Sequence, residues 1–465
     1  MVVPEKLKKL KHLYARAGFG ISYSELNKIA DQPVDKAVKQ LFADAEKLEP
    51  ISISEEYLPY SGGRKFAQLN EQERKDLIRK ARMGVRFLNS SWIEKMGSSK
   101  SSLREKMTLF WHGHFACRSV NPSFLQQLNN IHRKHALGNF RTLLLEVSRS
   151  PAMLQFLNNQ QNRKGKPNEN FARELMELFT LGRGNYSEKD IKEAARAFTG
   201  WSFMPGGEFL FREKQHDYAE KTFFSQTGNF NGTDIIDIIL KKPETATFIA
   251  RKLYLFFVSD TENDQHIQEL GKSFYESDYD IAILMKKLLS SDWFYSDQVI
   301  GSKIKSPVEL LVGLNKLFHV TYKNPAVQIQ FQSAMGQVLF YPPNVAGWAA
   351  GKSWIDSSSL MLRLKLPSLI LNAGIIDFEG KADIEDEALL AMMQIKMKSV
   401  ERRIQSVTDW DKFLSAFPSG FNTADLASFL LQTPVKPEIM KLLETNSSLK
   451  SAALELVSMP EYQLC

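Results

Sequence analysis

Apolar positions along the chain recur mostly at three- and four-residue spacing, the period of an amphipathic helix. Residues 71–97 and 102–111 follow it, as do two segments within 136–157 that are broken at Ser150-Pro151. Proline suits a first helical turn but disfavours a helical conformation in the residue before it. The same period predicts helices near 187–199, 243–257, 263–275, 279–289, 305–318, 357–372, 384–398, 423–431 and 436–443. Ser102-x-x-Glu105 reads as a capping box at the start of its helix. Strand-like alternation appears within 201–232: Pro205-Gly206-Gly207 marks a turn, Phe209 and Phe211 alternate with Leu210 and Arg212, and Thr222-Phe223-Phe224 suits another strand. The expected fold is mainly α, a large multi-helix globular domain with a small antiparallel β insertion near 201–232. A composition shift at 373–383 predicts a main domain over 1–375 and a C-terminal helical lobe over 376–465 packed on it.

One helix carries more charge than its burial pattern requires. In NENFARELMELFTLG (168–182), a wheel drawn at about 100° per residue gathers Phe171, Ala172, Leu175, Met176, Leu178 and Phe179 on one face. Glu169, Arg173, Glu177 and Thr180 fall on the other, flanked by Asn170 and Glu174. Asn168 suits the amino-terminal cap and Gly182 the stop. The ladder Glu169–Arg173–Glu177 reads in two ways. As surface, it is two ion pairs of about 0.2–0.5 kcal/mol each. As the wall of a site, it would be shielded by the next helix, which brings Arg196 and Trp201, and could bind an anion or tune a carboxylate.

Two histidine steps are candidates for chemistry. His112 and His114 flank Gly113 in WHGHF. On a continuous helix they point about 200° apart, and only a helix ending at Gly113 would let both hold one metal. The alternative is a helix end where one ring packs on Trp111 and the other bonds a backbone carbonyl. His216-Asp217 lies in the insertion, either facing a cleft or forming a turn. Tyr341, Trp348, Trp354 and Asp356 sit in a Pro- and Gly-rich loop that reads as a sugar platform or as a plug for the helical core.

Bulk properties narrow the classes. The chain has 465 residues, a net charge of +7 and two cysteines. Two cysteines build neither a disulfide framework nor a thiolate zinc site. Basic residues do not form a run with interleaved aromatics, so nucleic acid is not an expected partner. No apolar stretch reaches the roughly 18 residues of a membrane span. The N-terminal residues lack the apolar core of a signal peptide, which predicts a cytoplasmic protein, or a periplasmic or exported one if a leader has been removed. Phosphate-loop, GxSxG and HExxH patterns do not occur.

Taken together, HLYARAGFG (12–20), EKMTLFWHGHF (105–115), ALGNFRTLLLEVSRSPAMLQFL (136–157), NENFARELMELFTLG, NYSEKDIKEAARAFTGW (185–201), HDYAEKTFFSQTGNFNG (216–232), PETATFIARKL (243–253) and YPPNVAGW (341–348) are similar to a bacterial family known as domain-of-unknown-function family 1800. The resemblance spans nearly the whole chain in order. It implies a mostly helical architecture and a genomic neighbour encoding a sulfatase-like protein. It departs at Asn158 and Phe179, where members often carry Asp and His.

Two functions follow as expectations. The first is a hydrolase of a polysaccharide or anionic ester. Glu169, Glu177, His112 and His216 would be catalytic, Arg173, Arg196, Trp201, Trp348 and Asp217 would bind substrate, and a divalent metal would sit on His112 and His114. The second is a non-catalytic scaffold or binding partner of the sulfatase-like protein or of a surface polymer. Convergence of these side chains on one open pocket would favour the first.

Overall fold

A computed structural model describes residues 5–57, 69–373, 404–445 and 448–465. Helices α1 (Glu5–Arg16), α2 (Tyr23–Ile29) and α3 (Val34–Asp44) precede the long α4 (Glu71–Ser98) and α5 (Ser102–His114). Then come α6 (Pro122–Lys134), α7 (Phe140–Arg149), α8 (Pro151–Phe156), α9 (Asn170–Glu174) and α10 (Glu188–Ala197). After the insertion follow α11 (Gly232–Leu240), α12 (Pro243–Phe257), α13 (Asp264–Glu276), α14 (Ile281–Ser290), α15 (Pro307–Leu317), α16 (Val327–Ala334) and α17 (Ser357–Leu371). The last are α18 (Trp410–Leu414), α19 (Thr423–Leu430), α20 (Pro437–Leu443) and α21 (Leu449–Val457). The protein is mainly α. Many starts are fixed by side-chain caps, among them Ser150 for α8, the Ser187/Asp190 box for α10, the Asn231/Asp234 box for α11 and Asp356 for α17.

The insertion holds two hairpins rather than one sheet. Strand β1 (Trp201–Phe203) pairs antiparallel with β2 (Phe209–Phe211), Trp201 opposite Phe211; β3 (Lys221–Phe223) pairs with β4 (Gln226–Gly228), Lys221 opposite Gly228. A third pair was not expected: β5 (Val320–Tyr322) runs antiparallel to β6 (Ser406–Thr408). One buried apolar cluster takes in Leu10 and Trp92 as well as Leu426 and Tyr462, so residues on both sides of position 375 share it. The helix expected at 384–398 lies outside the described residues.

The reading of Ser102-x-x-Glu105 as a capping box is corrected. Ser101 precedes the helix and makes no side-chain cap bond. Glu105 is buried, accepting a forked pair from Arg133 of α6 (2.8 and 3.0 Å) and a third bond from Trp92 Nε1 (2.9 Å). The capping pattern was real as sequence, but burial of the carboxylate made a guanidinium a better partner than a backbone amide at a helix end.

Candidate functional site

The charged helix begins as α9 and then widens. Leu175–Thr180 forms a π turn, with Thr180 Oγ1 donating to the Leu175 carbonyl (2.6 Å) and Leu181 N–H to Met176 (2.9 Å). A π turn adds a residue per turn, so the 100° wheel fails beyond Leu175. Arg173 still bonds Glu169 (3.2 Å), but its stronger partner is Glu188 at the start of α10, gripped at 2.8 and 2.9 Å. Glu177 leaves the ladder for Arg183 (2.6 Å) and the Tyr186 hydroxyl (2.9 Å). Arg183 and then Tyr186 hold Glu177 below the usual carboxylate range despite some burial. Glu174 moves the other way, raised first by burial and then by repulsion from Glu177.

The second cluster ties the insertion to α10. Arg196 reaches Asp217 (2.7 Å), Glu193 (2.8 Å) and the Glu220 carbonyl (3.2 Å). Burial works against the Asp217 charge, but Arg196 and the Ala219 amide outweigh it and its pKa falls. His216 is buried, with Nδ1 2.9 Å from the Thr199 carbonyl, and burial lowers its pKa. Thr199 Oγ1 in turn accepts from the Asp217 amide (2.8 Å). Trp201 is 3% exposed, packed edge-on to Phe198 and Phe209 with the Arg149 guanidinium 5.3 Å from its ring centre. The ring expected to bind substrate is thus buried in the core.

The histidine pair does not share a point. Helix α5 runs through Gly113 to His114, so the two rings leave opposite sides. His112 Nε2 accepts from the Phe340 amide (3.1 Å), with Trp92, Phe340 and Trp348 around it at 5.0–5.3 Å. His114 Nε2 meets the Phe179 carbonyl at 3.1 Å, satisfying an acceptor that the end of the π turn leaves over. Its ring also lies edge-on to Trp111. Burial lowers both pKa values to about 3, which keeps both rings neutral at pH 7. Among the described residues no group of three or more His, Cys, Asp and Glu is arranged to hold a metal ion. The aromatic loop closes the same end of the core. Gly347 adopts φ +83°, and a Cβ there would lie 2.5 Å from the Gly113 carbonyl.

Sequence reasoning missed what lies beside Glu169. Residues 158–168 fold back as a loop fastened by Asn162, which donates to the Ala195 carbonyl (2.8 Å) and accepts from the Asn168 amide (2.9 Å). Lys164 N–H bonds the Gln215 carbonyl (2.8 Å), joining the loop to the insertion. Between them opens a groove of about 660 Å³, whose lining includes Gln160, Arg163, Lys166, Glu169, Arg212 and Gln215. The signal was present in NQQNRKGKPNEN (159–170), a polar run without apolar periodicity. The groove thus collects Glu169 from the predicted set, whereas Glu177, Arg196, Asp217, His112, His114, His216, Trp201 and Trp348 are held elsewhere by the partners above.

The family model described as a protein of unknown function, DUF1800, matches residues 12–464. The chain belongs to this family. No curated protein and no solved structure matches it. Within this DUF1800 chain the contacts of the motif residues join α5, the π turn, α10 and the insertion. Among the described residues no helix is long and apolar enough to cross a membrane.

Proposed function

We propose that the protein is a non-catalytic binding protein that holds an acidic surface polysaccharide in the groove beside Glu169. The observation that carries this reading is the groove's composition. Arg163, Lys166 and Arg212 face one carboxylate and have no ion-pair partner among the described residues, and the remaining lining is amide side chains and proline. Guanidinium groups bind sulfate or carboxylate groups through paired N–H donors, and amides match sugar hydroxyls. The net charge of +7 adds long-range attraction for a polyanion. A sulfated polymer agrees with the sulfatase-like neighbour that the family resemblance implies, and that neighbour is the partner protein this reading takes.

A hydrolase remains the second reading, through a different pair from the one expected. Glu174 and Glu177 are three residues apart, one raised and one lowered in pKa, which is how a general acid and a base separate. One experiment distinguishes the two. Electrophoresis through gels containing dextran sulfate should retard the protein, gels containing neutral dextran should not, and Arg163→Ala with Arg212→Ala should weaken retardation at least tenfold. Release of reducing ends or sulfate that Glu174→Gln abolishes would instead make the protein a hydrolase.

A further inference from the structure

A second concavity lies on another part of the molecule and owes nothing to the groove. It is a narrow pocket of about 80 Å³ between α1, the Gly18–Ile21 turn, α15, the end of α19 and the last turn of the chain. Lys11, Lys106, Lys305 and Lys316 all line it. Their ammonium groups are held largely by backbone carbonyls: Lys11 by Leu431 (2.7 Å) and Ser428, Lys305 by Tyr462 (2.6 Å), Lys316 by Gly20 (2.9 Å) and Lys106 by Gly18 (3.0 Å). Glu309 is the carboxylate side chain in the lining, and it is bonded to Lys106. Cys465, also in the lining, acts on Lys106 and Lys305 in the sense that favours their charged forms. Behind the wall stand more cations, Arg16, Lys303 and Arg363, with Asp260 near Lys303 and Glu25 near Lys316. Buried charge is ordinarily matched by opposite charge. Here four lysines line the cavity with one carboxylate side chain, Glu309, and Glu25 acts on Lys316 from behind the wall.

We propose that this pocket binds a small phosphate monoester, its dianion seated among Lys11, Lys106, Lys305 and Lys316 and its apolar body against Phe19 and Phe429. The charge on a phosphate monoester, about −1.5 to −2 at pH 7, matches the surplus of lysines in the lining, whereas a sulfate ester or carboxylate brings a single charge. Lysines act on phosphate as point charges with rotatable donors. Each ammonium has three donors. Lys305 and Lys316 each give one of theirs to a carbonyl, and the Lys305 ammonium also lies 3.8 Å from the centre of the Tyr462 ring.

The pocket's electrostatics set a pH signature. Burial, then Lys305 and Lys8, lowers Lys11 to about 7, and burial lowers Lys305 to about 8. With no ligand these lysines lose protons as pH rises through 7 to 8. A bound dianion holds the protons on, so binding at pH 8 takes up protons.

Calorimetry on the full chain with phenyl phosphate decides the matter. The expected result is one site, with proton uptake at pH 8 revealed by two buffers of different ionisation enthalpy. Lys316→Met and Lys305→Gln should each weaken binding at least tenfold; because each also removes a bond to a carbonyl, the melting temperature of each variant is measured alongside. Phenyl sulfate should bind at least tenfold more weakly. Absence of binding at millimolar phenyl phosphate overturns the proposal. So does equal affinity for phenyl sulfate, or unchanged affinity in whichever of the two variants is folded.

Discussion

At the scale of single residues, the partner of each charge decides its role. Glu105 and Arg133 are 1% and 0% exposed, whereas Arg173 and Glu169 are each 36% exposed. Removing one side of a buried pair leaves the other desolvated and alone, at a cost of about 3–5 kcal/mol. An exposed pair contributes about 0–1 kcal/mol. Glu105→Ala should therefore lower the free energy of unfolding in denaturant by about 3–5 kcal/mol. Arg173→Ala should cost no more than about 1 kcal/mol. A larger loss at Arg173 would show that the charged helix is under more demand than its contacts suggest. None of this was legible in the sequence. Local spacing assigned Glu105 to a cap, and Arg133 lies 28 residues away on a helix that the hydrophobic pattern did not announce.

At the scale of elements, the pattern of apolar positions was a reliable guide where structure is local. The helix expected at 243–257 forms as α12 (Pro243–Phe257), and the break at Ser150-Pro151 separates α7 from α8 with Ser150 as the cap. The π turn was invisible because one extra residue per turn leaves no period of its own in six residues. The β5–β6 pair was invisible because its strands are three residues each and lie more than 80 positions apart. The aromatic loop offers a test of element docking. Gly347 and Gly336 have φ values of +83° and +86°, but an added Cβ meets the Gly113 carbonyl at Gly347 and nothing within 4 Å at Gly336. Left-handed backbone alone costs about 1–3 kcal/mol for a residue with a side chain. Gly347→Ala should thus lower the melting temperature clearly more than Gly336→Ala. Equal losses would mean that the loop does not press on the end of α5.

At the scale of the whole molecule, the polar residues that suggested a reaction centre fasten separate elements together. Arg173 links α9 to α10, Arg196 links α10 to the insertion, and His112 and His114 link α5 to the aromatic loop and the π turn. Sequence located these residues but not the direction of their side chains, which depends on contacts between distant segments. The imidazoles of His112 and His114 are neutral groups of the core. Burial puts their folded pKa values at about 3, below the 6.5 of an ordinary imidazole. An unfolded chain therefore binds more protons between those limits, and the stability they contribute is full above pH 6.5 and lost as pH falls toward 3. The most direct measurement is the imidazole nitrogen shift of His112 and His114 in histidine-labelled protein, titrated from pH 8 downward and assigned with His112→Gln and His114→Gln. Both rings should stay neutral until the protein unfolds in acid; a ring that gains its proton near pH 6.5 while the protein is folded would contradict the account.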